Sequence, residues 1–493
     1  MKQKLLNLFL LVTYSLCFSQ NFTLDDNSGI LPVQRNWNEV AFKDIDGDGF
    51  VDLFTGGAAP SFWTVGRMYK NDGTGKFILN DDQTFIKKRE GGLAFGDVNG
   101  DGFPDMIASG GYGNPGGSLT KLYLNDGNGN FILNESSSFI NVYQGDIRMF
   151  DYNNDGDLDI LIAGMISSGV YALQLYENNG TGVFTLNNQT GLELYGLNYA
   201  YIVIADLDND GFLDIATNGR TSASGGSSKM RIFKNNTDST FSLMAQSAFD
   251  YITAGAIAIG DIDNNGTLDL VFSGNGPSTD SNPNGFETKL FLNDGNANFT
   301  LVENTTFIGH GDFPSIALAD FDNDGSLDLI TMGRITMDPA THETYLYLND
   351  GQGNFTLVEN TTFTGHSFGK ITVADVNNDG TMDVLITGTG DGPGNTAVAK
   401  LYLNNVNLSV QTLENLNIKV YPNPVQDTLN IESFSGNNIK FFNIYTISGS
   451  LLKHEKTNYN LSNIDVSFLS PGVYILSLIL EDGTVVKNKI IKN

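Results

Sequence analysis

Cysteine is almost missing from this chain: Cys17 is the only one in 493 residues, and it lies in a stretch expected to be removed. No disulfide can then hold the mature fold, so an exported protein of this composition needs another staple. Histidine is scarce too, with four, and no His-Glu-x-x-His, Gly-x-Ser-x-Gly or Walker loop occurs. The familiar metalloprotease, hydrolase and nucleotide signatures are therefore absent. Basic residues number 27 against 56 acidic ones, a formal charge of −29. That balance argues against nucleic acid and anionic lipid, which require clustered Lys and Arg, and in favour of bound cations. Long apolar runs are lacking as well. Leu5 to Val12 follows Lys2 and Lys4 and leads to Ser15-Leu-Cys-Phe-Ser-Gln20, the layout of a signal peptide over 1–20. It is too short to span a bilayer, which takes about 20 apolar residues, and no later segment comes close, so no transmembrane segment is expected. Leu16 before Cys17 is not the small residue of a lipoprotein anchor.

What the chain does have is glycine, 56 residues, aromatics at 11% and an internal repeat. Asp44-Ile-Asp46-Gly-Asp48-Gly49-Phe-Val-Asp52 recurs at Asp97–Asp105, Asp151–Asp159, Asp206–Asp214, Asp261–Asp269, Asp320–Asp328 and Asp375–Asp383. The seven copies are spaced by 53, 54, 55, 55, 59 and 55 residues, so each unit is one supersecondary module. An alternating stretch such as Ser315–Asp320 enters the acidic turn, and an apolar run such as Leu327–Met332 leaves it. Tyr345–Leu348, a turn of Asn349-Asp-Gly-Gln-Gly353 and Asn354–Val358 supply two further strands. Asn, Asp and Gly tolerate positive φ and permit such hairpins; turns of this kind begin at Asn71, Asn125, Asn178, Asn235, Asn293 and Asn349, that at Asn235 without its glycines. Four short antiparallel strands per repeat make a propeller blade, which predicts an all-β chain containing a seven-bladed β-propeller. The seventh repeat stops at Asn404 one strand short, and Asn21-Phe-Thr-Leu24 repeats the letters of Asn354-Phe-Thr-Leu357. It is expected to close the last blade as its outer strand and remove an open edge; an open solenoid is the alternative. The expected organisation is a signal peptide at 1–20, the propeller at 21–405, a linker at 406–415 and a separate domain at 416–493.

These repeats resemble the FG-GAP and VCBS repeats of integrin-α-like propellers, on the strength of loops such as Asp97-Val-Asn99-Gly-Asp101-Gly102-Phe-Pro-Asp105. The resemblance implies calcium between the first and second strands of each blade. Residue chemistry points the same way: calcium takes six to eight hard oxygens around a sharply turned chain. Positions one, three and five offer Asp or Asn, glycine at six permits the turn, position seven can give a carbonyl, and Asp at nine closes the cage. The expected ligands are Asp44, Asp46, Asp48 and Asp52; Asp97, Asn99, Asp101 and Asp105; Asp151, Asn153, Asp155 and Asp159; Asp206, Asp208, Asp210 and Asp214; Asp261, Asp263, Asn265 and Asp269; Asp320, Asp322, Asp324 and Asp328; and Asp375, Asn377, Asp379 and Asp383. Up to seven structural Ca2+ ions are expected, with weaker binding where Asn replaces Asp. An acidic closing residue at nine, and strand-like flanks, exclude an EF-hand. For any single loop, an Asp-Gly turn without metal is the alternative.

The last 78 residues carry seven lysines and six acidic groups, a net charge of +1. Tyr421-Pro-Asn-Pro424, Ser448-Gly449, Pro471-Gly-Val-Tyr474 and the basic end Lys487–Lys492 suggest a small β-sandwich. Together they resemble the type A sorting domain of the type IX secretion system of Bacteroidota, which implies secretion to the outer surface of a Gram-negative cell, with that machinery as a partner.

In the expected topology the face away from the acidic loops would hold Trp37, Trp63, Tyr112, Tyr143, Tyr195, His310, His342, His366, Lys87, Lys88, Arg89, Arg220 and Arg334. A glycan or protein ligand is expected there, bound by a monomeric surface protein with no catalytic residue assigned. The alternatives are a polysaccharide lyase or glycoside hydrolase built on the propeller, and a purely structural surface component.

Overall fold

The computed structural model describes residues 22–493 apart from 59–63, 82, 84, 86–89, 113–116, 168, 222–227, 245–248, 250–252, 277, 280–281, 283, 338–339, 367, 390–395, 406–417, 434–438, 447–450, 460–461 and 481–484. The expected signal peptide and linker, together with Trp63, Lys87, Lys88 and Arg89, lie outside the described residues, as do the side chains of Trp37 and Tyr112. The chain divides into two compact units at residues 406/407.

In the first unit the first six repeats each supply a four-stranded antiparallel meander, and the seventh supplies three strands, Ile371–Ala374, Asp383–Thr389 and Ala397–Asn404. The first runs through Gln34–Lys43, Asp52–Ala58, Thr64–Asn71 and Phe77–Leu79, and the others follow the same order. The third and fourth are joined into one eight-stranded sheet by a single pair, Ala172 with Leu197. Second strands are the most apolar because the sheets stack face to face: Ile160, Leu161, Ile162 and Ala163 are all fully buried, as a strand covered on both faces requires. Cores lie between neighbouring sheets. Val98, Ile107 and Leu122 of the second repeat pack with Ile147, Ile160 and Ile162 of the third, and Val40, Leu53 and Tyr69 of the first pack with Val376, Leu385 and Leu401 of the seventh.

That last cluster joins the two ends of the array. First strands of successive repeats touch around a complete circuit, Gln34–Lys43 meeting Ile371–Ala374, so they line a central channel in a β-propeller. The seventh sheet is completed by Phe22–Asp25, which pairs antiparallel with Leu401–Asn404 in the register Phe22 to Asn404 and Asp25 to Leu401. Phe22 is buried against Phe363 and Phe321, at ring distances of 4.7 and 6.0 Å.

The second unit has a three-stranded sheet (Ile418–Tyr421, Thr428–Ser433, Asn463–Asp465) and a four-stranded one (Leu451–Tyr459, Ile439–Thr446, Gly472–Leu480, Val485–Lys492) around a shared apolar core that includes Leu429, Phe442, Leu476 and Ile490. No helix among the described residues is long and apolar enough to cross a membrane.

Candidate functional site

Each acidic loop joins the first strand of its sheet to the second, and its geometry repeats. The carboxylate at position one turns the chain back on itself by accepting the N–H of the glycine at six, from Gly49 to Asp44 at 3.1 Å through Gly380 to Asp375 at 2.8 Å. Those glycines need the left-handed region, φ being 89° at Gly49 and 94° at Gly325. Position five accepts the N–H of residue seven, as Asp101 does from Phe103 at 2.9 Å.

Position nine behaves differently from the other acidic residues. Asp52, Asp105, Asp159, Asp214, Asp269, Asp328 and Asp383 are all buried. One oxygen of Asp159 accepts the N–H of Tyr152 in its own loop at 3.2 Å, and the other accepts the N–H of Asn178 on the third strand at 2.8 Å. The other six repeat this pattern. Burial, then the nearby loop carboxylates, push the Asp159 and Asp383 carboxyls up to about 7 against the two N–H bonds that favour the ionised form. The ninth aspartate therefore locks loop to strand as well as facing its neighbours.

The asparagine it holds reaches onward. Asn125 Nδ2 donates to Ile45 O of the preceding repeat at 2.7 Å, and Asn178, Asn235, Asn293, Asn349 and Asn404 do likewise at 2.8 Å. Asn71 Nδ2 donates to Val376 O at 2.7 Å, linking the first repeat to the seventh. The sequence places six of these asparagines in hairpin turns and Asn404 at the end of the shortened seventh repeat; their clasp on the neighbouring loop depends on the ring.

Carboxylate oxygens of Asp44, Asp46 and Asp48; of Asp206, Asp208 and Asp210; of Asp261, Asp263 and Asp269; and of Asp320, Asp322 and Asp328 lie within 4.8 Å of one another and could hold a metal ion. Asp46 Oδ1 and Asp208 Oδ1 are buried with no hydrogen-bond partner. An all-oxygen donor set of this kind suits a hard divalent cation. In the remaining loops the structure brings together the expected Asp97, Asn99, Asp101 and Asp105; Asp151, Asn153, Asp155 and Asp159; and Asp375, Asn377, Asp379 and Asp383, with an asparagine amide bridging two of the positions.

A second concentration of functional chemistry lies at the opposite end of the first strands, roughly 20 Å away at about 3.3 Å per residue. There the first strands of the third, fourth, fifth and sixth repeats shift register in a bulge. Glu90, Gln144, Tyr199, Phe313 and Phe368 occupy the same step of their repeats with φ of 58°, 52°, 52°, 61° and 51°. Four glycines permit a close approach to the second strand at the next step: a Cβ on Gly91, Gly145, Gly255 or Gly369 would sit 1.8–2.1 Å from one of its carbonyl oxygens. Tyr199, Phe313 and Phe368 form a run of half-buried rings, 5.5 and 6.1 Å apart, with Arg220 at 5.9 Å from the Tyr199 ring.

Deeper in the channel, a cavity of about 60 Å3 is lined by Glu39, Asp146, Arg148, Tyr201 and Lys370. Arg148 is paired with Asp146 at 2.6 Å and donates to Ile202 O at 2.8 Å. Lys370 opens to the lumen, yet the protein around it lowers its pKa by desolvation, helped by the Arg148 charge and opposed by Asp146 and Glu39. No repeat signature marks these residues, and sequence reading missed them.

Of the residues proposed for this face, Tyr143 and Arg220 stand near the mouth. His310 is wholly buried, its Nε2 2.9 Å from Thr331 Oγ1, and His366 is buried with its Nε2 2.7 Å from Thr364 Oγ1. Tyr195 packs on Phe233 at 5.1 Å, and Arg334 donates to Thr336 O and Met337 O of its own hairpin. His342 is half-buried.

In the second unit the Tyr-Pro-Asn-Pro segment acts through Asn423, which donates to Lys489 O at 2.7 Å and accepts from Ile491 N–H at 2.8 Å. The motif thus clamps the basic terminal strand.

A family model of the FG-GAP-like repeat matches residues 44–108, 97–162, 151–217, 277–331 and 336–386, together more than half of the chain. A model of the secretion system C-terminal sorting domain matches 419–493. Among curated proteins, ulvan lyase NLR42 of Nonlabens ulvanivorans is 32% identical over 98 residues, which is 19% of this chain and 18% of the relative, so the match spans about a fifth of that protein's length. Comparison with solved structures returns the exotype rhamnogalacturonan lyase YesX, at 12% identity and a TM-score of 0.38 over 94% of this chain and 91% of that one. The extracellular domain of the hybrid two-component system BT3049 of B. thetaiotaomicron gives 12% identity and a TM-score of 0.42, over 96% of this chain and 58% of that one.

Proposed function

From the premise that this chain belongs to the FG-GAP-like repeat family and ends in a secretion system C-terminal sorting domain, we propose that it is a calcium-binding, seven-bladed surface propeller that binds a glycan or protein ligand at the mouth of its central channel. The sorting domain marks the chain for type IX export to the cell surface or beyond. Calcium suits the acidic loops because every donor they offer is a hard oxygen, with carboxylates gathered within 4.8 Å in four of them. Bound cations would relieve the repulsion among three or four carboxylates per turn and so staple a fold without disulfides.

The observation that carries the ligand site is the row of five non-glycine residues held at positive φ around the channel mouth. Such backbones each cost of order 1–3 kcal/mol and persist where surrounding structure enforces them, characteristically at binding sites. Here they present aromatic faces beside Glu90, Gln144 and Arg220, a combination suited to stacking on a sugar ring while bonding its hydroxyls.

The test is a glycan array probed with the calcium-loaded mature protein and with Tyr199→Ala. Binding that falls at least tenfold in the variant supports the site. Calcium-dependent folding with no glycan bound would direct the search to protein ligands.

The same channel supports a second reading, catalysis on a polysaccharide. Lys370, with its lowered pKa, stands beside Arg148, Asp146, Glu39 and Tyr201, a set able to bind a charged sugar and move a proton. Release of shortened or unsaturated products from uronate-containing polysaccharides, abolished by Lys370→Met, would establish it.

A further inference from the structure

By carboxylate count the loops beginning at Asp44, Asp206 and Asp320 should bind cations most tightly, since each carries four. Two of the three already hold a positive charge. Lys70, on the third strand of the first repeat, places Nζ 2.6 Å from Asp46 Oδ2 and 3.1 Å from Asn128 O. Lys234, at the same step of the fourth repeat, is ion-paired with Asp208 and lies 3.1 Å from Asp210 Oδ2. The carboxylates they meet are the sheltered ones: the side chains of Asp46 and Asp208 are only 15% and 9% exposed. Elsewhere that step of the third strand is occupied by Leu124, Glu177, Leu292, Leu348 and Leu403, none of them cationic.

The other loops relieve their charge differently. Where an asparagine replaces an aspartate, its amide donates to the neighbouring carboxylate: Asn99 to Asp101 at 2.9 Å, Asn153 to Asp155 at 2.8 Å, Asn265 to Asp263 and Asn377 to Asp379 both at 3.0 Å. The Asp320 loop has neither an asparagine among these positions nor a lysine on its third strand. Lysine thus occurs at this step only in loops that have a full set of carboxylates and no internal amide. A tethered ammonium and a divalent ion compete for the same oxygens, and two cations at such a distance repel each other strongly in a half-buried site.

We propose that Lys70 and Lys234 are the resident cations of the first and fourth loops, so that divalent ions enter only the other five. This rests on reading the loops as divalent-cation sites. The Asp320 loop, richest in uncompensated carboxylate, is then the tightest of the five.

Chelator-stripped mature protein should be dialysed against calcium alone and its bound ions counted by native mass spectrometry. The wild type should hold five ions and Lys70→Met/Lys234→Met seven. Asp322→Asn should lower the wild-type count or weaken its tightest site, and Asp46→Asn should change neither. In chelator the double methionine variant should melt several degrees below the wild type, and calcium should remove the difference. Seven ions in the wild type would overturn the proposal while leaving the loops as calcium sites. No ion in either protein would overturn the calcium reading itself, and this proposal with it. The wild-type count decides even if the variants fold poorly.

Discussion

Asp159 shows how one side chain can serve two ends. Its carboxylate satisfies the N–H groups of Tyr152 and Asn178 inside the sheet while facing Asp151 and Asp155. Removing it leaves two buried donors without acceptors, each costing roughly 1–3 kcal/mol, so Asp159→Ala should lose about 3 kcal/mol in urea unfolding even with calcium in excess. His310 makes the pH dependence testable. Burial lowers its pKa from 6.5 to about 4, with the His342 charge adding to the effect. The unfolded chain therefore takes up a proton first, and stability contributed by the neutral ring is lost between pH 6.5 and 4. At about 1.4 kcal/mol per unit the loss approaches about 3 kcal/mol, and His310→Gln should flatten that part of a stability profile. The acidic pattern was legible because oxygen ligands, a turn glycine and fixed spacing leave their mark in the letters. The second duty of the ninth aspartate was not, because its partner lies on the third strand, 19 residues away at Asn178. Nor was the burial of His310 and His366, which depends on packing alone.

At the scale of strands and turns, the hairpin at Asn235 keeps its shape without its glycines. Thr237 and Ser239 adopt φ of 64° and 71° where Gly73 and Gly75 of the first repeat have 83° and 82°. A β-branched residue is strained there, so Thr237→Gly should stabilise by about 1 kcal/mol, read as a higher urea midpoint with an unchanged slope. The strands around each loop followed from alternation and apolar runs, although several extend further than expected, such as Asp328–Met337 for the run ending at Met332. The bulges of the first strands were not legible. They answer to crowding among strands converging on one channel, and Glu90, Gln144, Tyr199, Phe313 and Phe368 share no residue type that would announce it.

For the molecule as a whole, the closing strand Phe22–Asp25 carries the largest single dependence. Phe22 is almost fully buried among Phe321, Phe363 and Tyr402. Phe22→Ala should therefore cost about 3–5 kcal/mol and lower the unfolding midpoint of the repeat region. Deleting residues 22–25 should do more, exposing the edge at Leu401–Asn404 and raising aggregation, measured by light scattering on warming. The sequence alone determined the repeat, its acidic loops, the pairing of its first strand with its last and the character of the C-terminal unit, because each is written in local spacing or in matching segments. Only the tertiary structure decided which asparagines clasp which loops, which loops already contain a lysine, and where the channel gathers Glu39, Asp146, Arg148 and Lys370. Those arrangements join residues of different strands or repeats, up to several hundred positions apart, and their chemistry depends on distance and burial, which no single stretch of chain contains.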